Sequence, residues 1–234
     1  MRRTGPLLDR LALRALRLGV VAWGGAERLG LDVAGASEGP PVVDDPARRR
    51  ALDELIAATR AGDGTITRES CPYPLHELLT HLVVEHGLLL HGSNASLERL
   101  EPRPARDFRT ELRAVVACDD GIWPIFYAVV ARARVEGVFT ACLHVGRRRL
   151  YLFAMGADPA SADSWTRGVV HALPRDGFRR EWGREWVRGE AVEPVLRVHV
   201  GPEDFPLRET VIQAPPDLRR LGASFRAAKR RRAA

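Results

Sequence analysis

The sequence predicts an α+β fold, with helices gathered early in the chain and strands late. Three observations carry that expectation. Apolar residues recur at helical spacing up to about residue 86 and again from Ile122 to Ala133. Beyond residue 135, short apolar runs separated by turn residues dominate. The regular alternation of strand and helix that builds repeating βαβ units is missing.

Taken in order, Leu7, Leu8, Leu11, Leu13, Leu16, Leu18 and Val21 predict a helix from Leu7 to about Leu29, weakened by Gly24-Gly25. Its basic start and apolar middle suggest a signal peptide, but Asp9, Arg10, Arg14 and Arg17 interrupt every candidate apolar core, which favours an amphipathic helix. Residues 32–46 are rich in Gly, Pro, Ser and Asp and read as a linker. Asp45 to Arg60 predicts a second helix, with Pro46 suited to its first position and Leu52, Leu55 and Ile56 as its stripe. Residues 1–70 are therefore expected to form a helical N-terminal extension.

The main domain is expected over residues 71–216. Leu75, Leu78, Leu79, Leu82 and Val83 mark a helix, Gly87 breaks it, and Leu88-Leu89-Leu90 is a short strand ending at His91-Gly92-Ser93. Arg113 to Cys118 is a strand, Asp119-Asp120-Gly121 a turn, and Ile122 to Ala133 a helix that tolerates Pro124 in its first turn. Val138 to Val145 and Arg149 to Ala154 predict a hairpin about Gly146-Arg147-Arg148. Val169 to Leu173, Glu185 to Arg188, Val192 to Val200 and Phe205 to Ile212 supply further strands.

A chain of 234 residues is long enough for one substantial core. No apolar run approaches the roughly 18 residues of a membrane span, so none is expected. Cys71, Cys118 and Cys142 lack metal-like spacing and cannot all pair within the chain, which favours a reducing, cytoplasmic setting. The net charge of +6 is concentrated partly in residues 217–234, where Arg219 to Arg232 contains no acidic residue. That segment reads as a solvated or disordered tail, or as a contact for polyanions.

Phosphate-loop, GxGxxG, HExxH and GxSxG patterns are absent, as are zinc-type cysteine pairs. His76, His81 and His86 recur every five residues, a spacing that does not stack ligands on a helix as i,i+4 does, so no metal site is expected. His91 is a different case, because it ends an apolar strand beside a glycine that lets a ligand approach the backbone. Glu185 stands between Trp182 and Trp186 as a carboxylate suited to a cationic transition state, with Glu181, Glu190 and Glu193 as competitors.

The order of His91-Gly92-Ser93, the segment RAVVACDDGIWPIFYA and Glu185-Trp186-Val187 resembles the ADP-ribosyltransferase superfamily, nearest its poly(ADP-ribose) polymerase and diphtheria-toxin-like branch. The resemblance covers roughly residues 85 to 213. It implies a split antiparallel β-sheet domain and NAD as substrate, cleaved at the nicotinamide–ribose bond, with ADP-ribose passed to an acceptor that is a protein, a nucleic acid, a small molecule or water. His91, Gly92 and Ser93 would hold the nicotinamide ribose and amide, and Phe126 would stack on the ring, with Tyr127 and Trp123 as neighbours within a one-residue slip. Glu185 would act as the catalytic carboxylate together with His91. Val115 falls near the position of the polymerase tyrosine, so single ADP-ribose transfer is implied rather than polymer growth. Asp107, Arg109 and Arg113 are candidates for ribose or phosphate. The resemblance leaves two alternatives: a non-catalytic NAD- or protein-binding domain of the same fold, and an NAD-dependent RNA 2′-phosphotransferase, for which the basic tail would supply a nucleic-acid contact.

Overall fold

Alternation along two neighbouring strands sets the architecture. In the computed structural model, which describes residues 21–29, 35–104, 113–217 and 220–233, β6 (Val138–Val145) and β7 (Arg148–Met155) form an antiparallel hairpin. Gly146 enters the two-residue turn at φ 60°, the left-handed conformation that a tight turn with right-handed strand twist demands and that glycine adopts without strain. The other edge of β7 is shared by β1 (Ser37–Glu38), antiparallel beside Leu150 and Tyr151, and by β12 (Ile212–Gln213), parallel beside Ala154 and Met155. Among the described residues this is a four-stranded sheet, sheet A.

Sheet B has eight strands among the described residues. Its order is β2 (Thr65–Ile66), β11 (Leu196–Val200), β8 (Gly168–Leu173), β3 (Leu89–Ser93), β5 (Arg113–Cys118), β10 (Glu185–Arg188) and β9 (Arg179–Trp182), with β4 (Arg103–Pro104) also on β5. Only the β2–β11 pair is parallel. β3 is registered with β8 from Leu89 to Ser93 but with β5 at one pair, Leu90 and Cys118.

Five helices flank the sheets among the described residues: α1 (21–28), α2 (Pro46–Ala61), α3 (Leu75–Val84), α4 (Trp123–Val129) and α5 (Leu221–Ala233). Asp45 caps α2 by accepting from the Ala47 N–H at 2.9 Å, and Pro46 occupies its first turn. The main core lies where α3 and α4 cover one face of sheet B and meet the inner face of sheet A, through Leu78, Leu82, Phe126, Val129, Phe153 and Val198. A second cluster covers the outer face of sheet A, and a third lies on the other face of sheet B around Leu89, Val115, Ala117 and Leu173. Among the described residues no helix is long and apolar enough to cross a membrane.

The mixed α+β expectation holds, and several elements fall where the sequence places them, Arg113–Cys118 and Glu185–Arg188 among them. The N-terminal helix is described only from residue 21, so Leu7 to Leu18 lie outside the described residues. The basic tail differs from a solvated or disordered segment. Leu221, Phe225 and Ala228 fall on one face of α5 and are buried with Trp23, Leu150 and Leu152 on sheet A. Burying Leu221 and Phe225 contributes about 1.5–3 kcal/mol each. The Lys229 ammonium donates to the Ala36 carbonyl at 2.8 Å. The strand expected from Phe205 to Ile212 is replaced by tight turns, since Pro206 cannot donate to a ladder and the segment folds back on itself at Pro202–Asp204 and Arg208–Thr210. The helix from Ile122 stops at Val129, because Val130 leaves it to bridge Trp165.

α4 sits close on sheet B because of two glycines. A Cβ on Gly92 would overlap the Pro124 carbonyl oxygen, and one on Gly168 would overlap that of Ala128. The close approach at Gly92 is thus taken up by the chain's own helix rather than by a ligand. Gly92→Ala is expected to destabilise the protein by at least ~2 kcal/mol through overpacking, read as a lower denaturation midpoint at unchanged slope. A glycine reserved for ligand approach would leave the midpoint where it is.

Candidate functional site

The β6–β7 register sets His144 opposite Arg149 and Cys142 opposite Tyr151. Opposed residues share a face, and this face receives the end of β5, where Asp120 enters. Asp120 Oδ1 accepts the backbone N–H groups of Ile122 at 2.8 Å and Trp123 at 2.7 Å, closing the N-terminal turn of α4. The Tyr151 hydroxyl donates to Oδ2 at 2.7 Å; His144 Nε2 lies 2.9 Å and Cys142 Sγ 3.7 Å from the same oxygen. Burial alone would raise this carboxyl, but hydrogen bonds from His144, the Trp123 N–H and Tyr151 outweigh it and hold it at about 2. Burial, aided by the Asp120 charge, pushes the Cys142 thiol and the Tyr151 hydroxyl well above their usual values, so both stay protonated and donate.

Above this carboxylate opens a cleft of about 970 Å³. Its walls come from the segment Glu38–Asp44, from α2 and α3 through Arg48, His76 and Thr80, from the hairpin through His144, Arg147 and Arg149, and from Asp119 and Arg184. Most of its cations are paired. Arg48 Nη1 lies 2.6 Å from Glu77, Arg148 reaches Glu27 and Glu38, and Arg184 Nε lies 3.3 Å from Asp119. Arg149 is different: it is 7% exposed and makes no ion pair among the described residues. Its guanidinium donates to Thr80 Oγ1 at 3.2 Å and to the Pro40 carbonyl, both neutral acceptors.

The residues singled out in the sequence are divided by sheet B. Row by row, Leu90, Cys118 and Glu185 are registered across β3, β5 and β10, so they share the face on which α3 and α4 lie. His91 follows Leu90 and points to the opposite face, that of Leu89, Ala117 and Trp186. His91 Nδ1 donates to the Val116 carbonyl at 2.7 Å, and its ring lies 6.1 Å from that of His171. His171 Nε2 accepts the Leu97 N–H at 2.9 Å, and burial with His91 as neighbour lowers its pKa to about 4, so it stays neutral. These contacts suit structural histidines. Ser93 Oγ accepts the Ala95 N–H at 3.2 Å. Phe126 does not line a cleft: it is fully buried, with Phe153 at 4.8 Å, Phe205 at 5.7 Å and Trp165 at 6.5 Å between ring centroids. No ring face is left for a nicotinamide. The Tyr127 hydroxyl is hydrogen-bonded to Thr140 Oγ1 at 2.8 Å, and its ring packs under Arg132. His91, Phe126 and Glu185 therefore do not converge on one cleft, because strand alternation separates the first from the third and the aromatic core encloses the second. Asp107 and Arg109 lie outside the described residues.

Two of the upstream histidines do meet. His81 Nε2 and His86 Nε2 lie 2.7 and 2.9 Å from Asp53 Oδ1. The helical-spacing argument fails for His86 because α3 ends at Val84 and the chain turns at Gly87. The Asp120 cluster was missed for another reason. Asp119-Asp120-Gly121 reads as a turn, and the alternating Cys142, His144 pair and Arg149, Tyr151 pair are the only sequence sign that one hairpin face is polar.

Comparisons with protein-family models, curated proteins and solved structures each yield no match.

Asp120 generates a pH prediction. A carboxyl held near 2 in the folded state, against about 3.9 unfolded, contributes stability above pH 4 that is lost as pH falls towards 2. The shift corresponds to about 2–3 kcal/mol. Asp120→Asn is expected to lower stability by about that amount at pH 7 and to flatten its dependence between pH 4 and 2, measured by urea unfolding across that range.

Proposed function

We propose that this chain binds a phosphate-bearing small molecule in the arginine-lined cleft, and that NAD, the ligand implied by the sequence resemblance, is the first candidate. The observation that carries the reading is Arg149, a buried guanidinium lining the cleft whose hydrogen-bond acceptors among the described residues, Thr80 Oγ1 and the Pro40 carbonyl, are both neutral. Buried charges are otherwise paired, because removing an unpaired ion from water is costly. An anion in the cleft would supply the missing counter-charge, and a guanidinium matches a phosphate oxygen pair in geometry. Arg147, exposed at the hairpin tip, adds positive potential at the mouth. The cleft volume lies in the range that encloses cofactor-sized ligands.

Transfer of ADP-ribose is the chemistry proposed for this ligand. What supports it is the side-by-side order of β3, β5 and β10 in sheet B, the three strands that the resemblance groups around one site. Glu185 opens β10 next to Arg184, which lines the cleft, and it shares a face of the sheet with α3 and α4 rather than with His91. In this reading Glu185 stabilises the oxocarbenium-like sugar as nicotinamide leaves. His91, Gly92 and Phe126 act on the fold.

Calorimetric titration with NAD, ADP-ribose and pyrophosphate tests the binding reading. Wild type is expected to bind, and Arg149→Met to weaken binding at least about tenfold, or 1.4 kcal/mol, with little change in melting temperature. Failure of wild type to bind all three overturns it. For the transferase chemistry, nicotinamide release from NAD is expected to be lost in Glu185→Gln and retained in His91→Ala. Release unaffected by Glu185→Gln would refute it.

A further inference from the structure

We infer that Asp120, Cys142 and His144 form a binding site for a zinc-type divalent cation at the floor of the cleft. The site stands on the hairpin geometry and not on the anion reading, since Arg149 takes no part in it. Cys142 and His144 alternate along β6 and therefore leave the same face of the strand, directly above the Asp120 carboxylate. Asp120 Oδ2, Cys142 Sγ and His144 Nε2 lie within 4.8 Å of one another. Tetrahedral zinc, with bonds of about 2.0–2.3 Å, sets its ligand atoms about 3.3–3.7 Å apart. The sulfur–oxygen separation of 3.7 Å already fits, and the nitrogen–oxygen separation of 2.9 Å opens by a few tenths of an ångström on loading. His144 has room for that movement, with its side chain 24% exposed into the cleft.

The remaining contacts of the carboxylate are those an outer shell supplies. Tyr151 donates to Oδ2 and the Ile122 and Trp123 N–H groups hold Oδ1, which fixes the carboxylate plane and leaves one Oδ2 lone pair for a metal. Loading would displace the Cys142 thiol proton to solvent and leave His144 protonated on Nδ1, so that thiolate sulfur and neutral Nε2 both face the ion. Three protein ligands leave a fourth position open to the cleft, the pattern of catalytic rather than structural zinc sites. Soft thiolate with imidazole selects zinc-type ions over magnesium or calcium.

The test is titration of the chelator-treated full chain with cobalt(II), followed by absorbance. Wild type is expected to develop a thiolate-to-cobalt charge-transfer band together with intense visible bands of a four-coordinate ion, at one ion per chain and displaced by zinc. Cys142→Ser should abolish the charge-transfer band, and His144→Ala should weaken cobalt affinity at least about tenfold. Cys118→Ser and the double variant His81→Ala, His86→Ala should retain the band, which separates this site from the neighbouring thiol and from the Asp53 cluster. Absence of a thiolate band in folded wild type overturns the inference, as does a band that survives Cys142→Ser.

Discussion

One buried carboxylate ties the layers of this protein together. Asp120 leaves the end of β5, closes the first turn of α4 through two backbone N–H groups, and accepts from Tyr151 on β7 while facing His144 on β6. Apart from the Tyr127–Thr140 hydrogen bond, the contact between α4 and sheet A is largely apolar, with Phe126, Phe153 and Tyr151 packed ring against ring. Apolar packing is non-directional, so it tolerates sliding of one layer over another. An ionised carboxylate held by donors from sheet A and the helix does not, since each displaced donor leaves a desolvated charge behind. The position of the hairpin relative to sheet B is therefore held by this group, and with it the floor of the cleft.

The same constraint arranges charge across the cleft. Asp120 is satisfied entirely by neutral donors and one imidazole, and Arg149 entirely by neutral acceptors. Arg149 lies opposite His144 on the hairpin face that Asp120 meets from the end of β5. They do not neutralise each other directly. That separation leaves a carboxylate at the floor of the cavity and a guanidinium in its wall.

Glycine plays a structural part in sheet B that its sequence context conceals. Gly92 and Gly168 sit on β3 and β8 under α4, and their missing side chains let the helix backbone rest on the strands. His91 and His171, registered across the same two strands, face the third core cluster; burial lowers the pKa of both, and each ring is anchored by a backbone partner. The His-Gly-Ser corner is thus explained by packing on one side of the strand and by hydrogen bonding on the other.

Much of the fold was legible because periodicity is local. The spacing of Leu75, Leu78, Leu79 and Leu82 calls for a helix wherever it packs, and Gly146 between two alternating runs calls for a hairpin. The docked C-terminal helix was less legible, since arginine density masks a stripe formed by Leu221, Phe225 and Ala228. The site was scarcely legible at all. Its members come from residues 120, 142, 144, 149 and 151, and a strand reveals which residues share a face but not what that face meets. The sequence by itself determined the α+β class and the hairpin about Gly146. Only the tertiary structure decided that Asp120 meets Cys142, His144 and Tyr151 on that hairpin, that His91 and Glu185 leave sheet B on different faces, and that Phe126 is core. Those outcomes depend on strand register and layer packing, which are long-range properties that no local pattern specifies.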